Sequence, residues 1–185
     1  MISWLFTQLC VLWFKLSGWG FMGKIPDHHK QYILVVAPHT SNIDFFVGVA
    51  ARKILRIDVK YLAKKELFRF PLKTLFLRLG GYPVDRSKKN SLVDQVVGFF
   101  QNDPNFALCV TPEGTRNKTE KWKTGFYVMA EKAKVAIVMV GFDFQLKKVV
   151  ISEFFDPSGN LESDIANMHK FFEKITPKHP EKSMY

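Results

Sequence analysis

The sequence predicts one α/β domain in which helices flank a layered, mixed and mostly parallel sheet, preceded by an apolar N-terminal helix. Its 185 residues are enough for one domain with a buried core. Hydrophobic residues make up 47% and charged residues 24% of the chain, a balance typical of folded rather than disordered proteins. From residue 32 onward, short apolar runs alternate with longer segments of helical period, which predicts strands connected by helices.

The first element is an apolar segment over residues 2–17. Polar residues interrupt it, and it is shorter than the roughly 20 apolar residues that span a bilayer. It also lacks the preceding positive charge of a secretory signal. Two interpretations stay open: a helix lying in the membrane interface and anchored by Trp4 and Trp13, or a core helix packed on the domain. We expect residues 1–23 to form a membrane-interface segment, with a cluster of glycines ending its helix.

Five predicted strands and five predicted helices follow in alternation. The strands, short and rich in β-branched or aromatic residues, cover residues 32–37, 59–63, 106–110, 135–142 and 149–154. The helices cover residues 43–55, 66–79, 91–100, 124–133 and 161–175, and Pro71 breaks the second of them. Neither a repeat nor a second domain is evident, so residues 24–175 form the predicted domain. Residues 176–185 are polar, contain two prolines and are predicted to form a tail.

The formal net charge of +10 predicts an anionic partner: nucleic acid, an anionic lipid surface or a phosphate-bearing substrate. Nucleic acid is disfavoured, because the lysines and arginines are scattered and the aromatic residues lie in apolar runs. Cys10 and Cys109 also lie in apolar runs, which argues against a disulfide framework and for a reducing compartment. The cysteines and histidines do not have the spacing of metal ligands, so we expect no structural metal and no cofactor.

The first candidate loop, residues 38–44, follows the first predicted strand of the domain, and sites in α/β sheets gather at such strand ends. It contains His39, a residue type that exchanges protons near neutral pH, and Asp44 five positions later. The two side chains meet only if His39 precedes the helix and Asp44 lies in its first turn. The capping-box form that begins at Ser41 makes this arrangement plausible, but the same pattern also fits a helix start without chemistry.

The second candidate loop, residues 111–116, follows another predicted strand. Its proline and glycine indicate a tight turn, and such turns can direct backbone N–H groups at an anion. Arg116 adds a planar, permanently charged group that matches phosphate. Taken alone, this loop fits a solvated turn equally well.

These two loops, together with a third block, resemble the glycerophospholipid acyltransferase family. The first loop matches the family's H-x4-D motif, and residues 112–116 match its P-E-G-T-R motif. A lysine-containing stretch at residues 64–68, followed by Gly80 to Arg86, is similar to the block that lies between them. The H-x4-D pattern is weak evidence by itself, but the three blocks occur in the family's order and spacing across residues 34–141.

The resemblance implies that a fatty acyl group moves from a thioester, either acyl-CoA or acyl carrier protein, to the hydroxyl of a lysophosphatidic-acid-like acceptor in phospholipid synthesis. His39 would be the general base, and Asp44 would hold its imidazole. The residues that the resemblance assigns to the acceptor's phosphate are Lys64, Arg86, Glu113, Gly114, Thr115 and Arg116. The implied location is the cytoplasmic face of a membrane that carries anionic lipids, with peripheral or monotopic attachment.

Two departures from the family pattern affect the substrate more than the reaction. The fourth block usually carries a proline, and residues 135–140 contain none. The N-terminal apolar segment is also short for the family, which predicts shallow membrane attachment. Two alternatives therefore stay open: an acyltransferase for another lyso-lipid, such as an amino-acid lipid or a lysophospholipid, and a non-catalytic lipid-binding module.

Overall fold

The computed structural model describes residues 2–25, 30–65, 68–69, 73–84 and 89–185. Seven strands occur within these residues: β1 (Gly20–Met22), β2 (Tyr32–Val36), β3 (Val59–Lys64), β4 (Gly81–Val84), β5 (Ala107–Val110), β6 (Ala136–Asp143) and β7 (Lys148–Phe155). The helices in the same part of the chain are α1 (Ile2–Leu16), α2 (Ile43–Ile54), α3 (Lys73–Arg78), α4 (Lys89–Asn102), α5 (Gly125–Ala133) and α6 (Leu161–Phe172).

The strands form one sheet in the order β1-β7-β6-β2-β5-β3-β4. Neighbouring strands are parallel except for β6 and β7, which are antiparallel. Only a short turn over residues 144–147 joins that pair, and a short turn can connect antiparallel strands but not parallel ones. The prediction of a mixed, mostly parallel sheet is therefore confirmed.

The five predicted strands are all present, with ends that differ from the prediction by at most one residue. β2 lies in the middle of the sheet and is buried on both faces. Ile33 and Val35 belong to one hydrophobic core, and Leu34 and Val36 belong to the other. A strand buried on both faces has a continuous apolar sequence rather than an alternating one.

The two strands that the sequence did not predict, β1 and β4, are the two edges of the sheet. β1 has three residues and begins with Gly20, and β4 begins with Gly81 and contains Pro83. Glycine and proline weaken a central strand, but they are tolerated at a sheet edge, where one side of the strand has no ladder to complete. Residue composition therefore concealed these strands.

Helices cover both faces of the sheet. α1 and α2 pack on one face, where Phe14 and Val47 are buried in the core. α4, α5 and α6 pack on the other face, where Val96, Tyr127 and Phe172 are buried. The predicted helix over residues 66–79 is observed only as α3, and residues 66–67 and 70–72 of that prediction lie outside the described residues.

The N-terminal helix combines features of both interpretations. Cys10 and Phe14 are 5% and 1% exposed, so one side of α1 belongs to the core. Its other side exposes large apolar side chains to at least 39%: Trp4, Leu5, Leu9, Leu12, Trp13 and Leu16. In the part of the chain that the structure describes, helices with the length and apolar character needed to cross a bilayer are absent.

Residues 176–185, predicted to form a polar tail, pack against the domain. The Phe144 N–H donates to the carbonyl oxygen of Thr176 at 2.8 Å, directly after β6. Ser183 is 2% exposed, and the Tyr185 hydroxyl is hydrogen-bonded to Nδ1 of His169 at 2.7 Å. This segment is therefore folded onto the body of the protein, and we call it the strap.

Candidate functional site

The two candidate loops lie side by side because the strands that carry them are neighbours. β2 and β5 pair in parallel, with Tyr32 opposite Ala107 and Val35 opposite Val110. Residues 38–44 and residues 111–116 therefore leave the same edge of the sheet, at adjacent carboxyl ends. This is where α/β sheets place their ligand sites.

His39 and Asp44 are in direct contact. The His39 Nδ1 lies 2.9 Å from the Asp44 Oδ2, with His39 in the loop and Asp44 in the first turn of α2. The Asp44 side chain is 3% exposed, and the His39 side chain is 22% exposed. Because an ionised carboxylate only accepts hydrogen bonds, Nδ1 is the donor in this contact, and in the neutral imidazole Nε2 is then the free base.

Asp44 also holds the backbone of the loop. Its Oδ2 accepts the N–H groups of Thr40 and Ser41, each at 3.0 Å. The Ser41 Oγ accepts the N–H of Ile43 at 3.1 Å rather than that of Asp44, and the N-cap of α2 is Asn42, so the expected capping box is only half formed. Asp44 is therefore both a first-turn residue that binds the backbone before α2 and the partner of the His39 ring.

Glu113 points into the protein and contacts His39. It is 6% exposed, and its Oε2 accepts the backbone N–H of His39 at 2.7 Å. Burial raises the pKa of the Glu113 carboxyl, and the hydrogen bond from His39 opposes this effect. The family resemblance assigns Glu113 to the acceptor's phosphate, whereas its observed contact is with the neighbouring loop. The two residues are 74 positions apart, so local sequence pattern gave no sign of this contact.

The other residues of the second loop surround a polar cavity beside His39. Its volume is about 620 Å³, and its lining residues are His39, Thr111, Gly114, Thr115, Arg116 and Asn117. Gly114 has φ +65°, a left-handed conformation that glycine adopts without strain. The predicted residues Gly114, Thr115 and Arg116 are thus placed together and open to solvent.

Lys123 is a further cation at this site, and the sequence did not single it out. Its backbone N–H donates to the carbonyl oxygen of Pro112 at 2.8 Å. Its Nζ lies 2.6 Å from the position that a Cβ on Gly114 would occupy, so the ammonium group lies over the glycine. The available signal was the lysine-rich stretch after the loop, but spacing does not tell which of its lysines returns to Gly114.

Lys123 and Arg116 are available to an anion. Within the ranges that the structure describes, neither cation forms a salt bridge. In contrast, Arg52 and Lys60 each lie 2.7 Å from a carboxylate oxygen of Asp58. The pair beside His39 is therefore better suited to an anionic group than the pair on Asp58.

A second, mainly apolar cavity of about 710 Å³ also reaches His39. From the dyad it extends along α2 and across the sheet, and its apolar lining includes Phe45, Val49, Leu55, Val59, Leu79 and Cys109. Both cavities fall within the roughly 300–1,000 Å³ typical of ligand pockets. His39 thus stands at the junction of a polar space and an apolar one.

Cys109 is a free cysteine that lines the apolar cavity. Burial raises the pKa of its thiol to about 12, so it stays protonated at neutral pH. Since the thiolate is the reactive form, a covalent acyl intermediate on this cysteine is disfavoured.

For two of the predicted binding residues, Lys64 and Arg86, the structure does not describe the side chain. Lys64 ends β3, the neighbour of β5, but its side chain lies outside the described residues. Arg86 lies outside them entirely. Their assignment to the substrate stays a prediction.

A comparison with curated proteins finds no match to this chain. The family model described as Acyltransferase matches residues 22–143. This span is more than half of the chain, and it contains β2, β5 and both loops that meet at His39. The chain therefore belongs to the glycerophospholipid acyltransferase family.

Proposed function

We propose that this protein transfers a fatty acyl group from acyl-CoA or acyl carrier protein to the hydroxyl of a lysophosphatidic-acid-like acceptor in phospholipid synthesis. The observation that carries the proposal is the position of His39, held by Asp44 at the junction of a polar and an apolar cavity. An acceptor of this kind has an anionic end and an acyl chain, with the reacting hydroxyl between them.

In the proposed reaction, Nε2 of His39 accepts the proton of the acceptor hydroxyl. At the same time, the hydroxyl oxygen attacks the carbonyl carbon of the thioester. The C–O bond forms, the C–S bond breaks, and the thiolate leaves with the proton returned by the imidazolium. Asp44 stabilises that imidazolium through Nδ1. General-base catalysis of this kind accelerates a reaction by a factor of about 10²–10⁴. The raised pKa of Cys109 supports direct transfer rather than a covalent acyl-enzyme.

We assign the apolar cavity to an acyl chain. Burial of a methylene group contributes roughly 0.8 kcal/mol, so a dozen buried methylenes contribute on the order of 10 kcal/mol before ordering costs. The lining by Phe45, Val49 and Leu55 supports this assignment, since these side chains offer no hydrogen bond that a polar ligand would need.

We assign the polar cavity to the acceptor's phosphate. Arg116 lines this cavity, and Lys123, which lines the adjoining apolar cavity, extends over Gly114; both supply positive charge. The turn at Gly114 allows close approach of an anion to the backbone. Lys64 and Arg86 are proposed to assist. Glu113 has a different role in this proposal: it positions His39 through the backbone and does not contact the phosphate.

We place the protein on the cytoplasmic face of a membrane, attached peripherally by α1. The exposed tryptophans and leucines of α1 form an apolar side, which continues onto Phe45 and Phe46 through their ring contacts with Phe6. Tryptophan favours the membrane–water interface, and the net charge of +10 adds attraction to anionic lipids. Because Phe45 also lines the apolar cavity, the proposed membrane side adjoins the proposed acyl site.

One assay panel tests the proposal. Purified protein is incubated with palmitoyl-CoA or palmitoyl acyl carrier protein and with lysophosphatidic acid, lysophosphatidylcholine or an acylated amino acid, and products are read by mass spectrometry. We expect phosphatidic acid from lysophosphatidic acid and no product with His39→Ala. If product formed only with another acceptor, that acceptor would replace lysophosphatidic acid as the proposed substrate. A folded wild-type protein that binds lipid but releases no thiol from either donor would favour the non-catalytic lipid-binding module.

A further inference from the structure

The strap, residues 176–185, runs from the end of β6 to the first candidate loop. It begins at the end of β6, where the Thr176 N–H donates to the Asp143 Oδ2 at 3.2 Å. Asp143 is itself 3% exposed, so the start of the strap is fixed to the core of the sheet. The strap lies beyond the residues that the family model matches, 22–143.

The middle of the strap reaches the residue next to His39. The backbone N–H of His179 donates to the Thr40 Oγ1 at 3.1 Å. Thr40 is 2% exposed, and its own N–H donates to Asp44. Buried hydroxyl groups need hydrogen-bond partners, and the strap supplies one for Thr40. The strap therefore contacts the loop between the two members of the dyad.

The far end of the strap is fixed against α6. Tyr185 is hydrogen-bonded to His169 and stacks on Phe172, so its ring is held in place against α6. Burial, and next the negative charge of Glu113, raises the pKa of the Tyr185 hydroxyl. Glu113 in turn accepts the backbone N–H of His39.

We infer that the His179–Thr40 contact of the strap orients the dyad, and that Thr40 and the backbone of His179 are positioning residues for His39. Thr40 is not among the described residues that line either cavity. Its effect on the reaction therefore acts through the orientation of the dyad. The reaction rate depends strongly on the position of the reacting groups, since a displacement of about 1 Å can lower the rate on the order of a hundredfold. This inference rests on His39 as the base of the proposed function.

The test compares variants of two threonines: Thr40 in the first loop, which contacts the strap, and Thr176 in the strap, which does not contact the loop. Thr40→Val removes the hydroxyl that the strap holds and keeps the side-chain shape, whereas Thr40→Ser keeps the hydroxyl. Thr176→Val is the matched control, because the Thr176 hydroxyl bonds Gln145 on the surface and touches neither loop. With palmitoyl-CoA and lysophosphatidic acid, we expect Thr40→Val to lower kcat about 10–100-fold. Thr40→Ser and Thr176→Val should stay within about twofold of wild type, and the KM for lysophosphatidic acid should change little.

A second readout does not depend on the substrate. The titration of His39 is followed by NMR on protein with isotope-labelled histidine, with the signal assigned from the spectrum of His39→Gln. We expect its midpoint to move in Thr40→Val and not in Thr176→Val. If wild type shows no turnover, the proposed function fails, while the titration still decides whether the strap positions His39. Unchanged kcat and an unchanged titration in folded Thr40→Val would overturn the inference.

A third variant covers the case in which Thr40→Val does not fold. Two glycines inserted between Pro177 and Lys178 lengthen the strap and leave every residue of both loops unchanged. The inserted residues should draw the His179 N–H away from Thr40 and lower kcat by a similar factor. Wild-type kcat and a wild-type His39 titration in this folded variant would also overturn the inference.

Discussion

The carboxylate of Glu113 accepts the backbone N–H of His39 at 2.7 Å, so the second loop of the site holds the first in place. Glu113 is buried, and the hydrogen bond joins segments that follow two adjacent parallel strands. Asp44 fixes the same histidine from its ring nitrogen. His39 is thereby restrained at both its backbone and its side chain.

The buried carboxyl of Glu113 should make the protein's stability depend on pH. Burial raises the folded-state pKa above the ordinary value of 4.5, so the unfolded chain releases this proton first as pH rises. The contribution of Glu113 is therefore most favourable below pH 4.5 and is lost as pH rises through the folded-state pKa. Glu113→Gln keeps an oxygen that accepts the His39 N–H but does not titrate.

Denaturant unfolding of wild type and Glu113→Gln at several values between pH 4 and pH 8 measures this effect. We expect the free energy of unfolding of wild type to fall relative to that of the variant as pH rises. The difference between the two proteins isolates Glu113 from the other carboxyl groups, which titrate in both. A difference that grows in favour of wild type with rising pH would contradict the burial argument.

Replacement of Asp44 should impair catalysis more than folding. In Asp44→Asn the amide can donate to Nδ1, which favours the tautomer with hydrogen on Nε2 and removes the free base. The wrong tautomer lowers kcat by up to about 10⁴-fold in comparable histidine–aspartate pairs. Steady-state kinetics with palmitoyl-CoA and lysophosphatidic acid measures the loss.

Asp94→Asn is the control for this replacement, because Asp94 pairs with Lys132 on the surface at 3.3 Å. Exposed ion pairs of this kind contribute little, so its kcat and melting temperature should stay close to wild type. If Asp44→Asn kept its kcat, Asp44 would be a helix cap without a catalytic role.

Loss of either free cation beside Gly114 should weaken acceptor binding. Arg116→Ala or Lys123→Met removes one charge-assisted contact to the phosphate, and we expect the KM for lysophosphatidic acid to rise about tenfold at each site. The KM for the acyl donor should change little, because both cations are assigned to the acceptor's phosphate. Initial rates with either substrate varied separate the two effects.

Lys121→Met is the matched control for Lys123→Met. Lys121 is exposed in the same loop and lines neither cavity. Its variant should therefore keep the wild-type KM for both substrates. An effect confined to the donor KM in the Arg116 and Lys123 variants would move the phosphate assignment from the acceptor to the donor.

Polar replacements on the outer side of α1 should release the protein from membranes. Leu9 and Leu12 are 55% and 53% exposed, so Leu9→Gln with Leu12→Gln leaves the core unchanged. Taking about 1.4 kcal/mol for each leucine that enters the interface, we expect the double variant to bind anionic vesicles about 100-fold more weakly. Co-sedimentation with phosphatidylglycerol vesicles measures the affinity.

The control is Leu161→Gln, an exposed leucine that begins α6 on the other face of the sheet. This variant should bind vesicles as wild type does. Equal loss in the control and the double variant would indicate general surface hydrophobicity rather than a membrane side on α1.

The sequence by itself determined the fold class, the five inner strands and both loops of the site. These features depend on local information: strand-length apolar runs, helical period, and turn residues at fixed spacing. It also limited His39 and Asp44 to one geometry in which they could meet, with the histidine before α2 and the aspartate in its first turn, and they do meet that way.

The tertiary structure decided what depends on distant residues. Glu113 faces His39 rather than solvent, Lys123 lies over Gly114, and the strap contacts Thr40 through His179. Edge strands β1 and β4 were concealed for the same reason, since their pairing partners and not their composition make them strands. Each of these contacts joins groups that come together only when the sheet assembles. The spacing of residues along the chain therefore could not predict them.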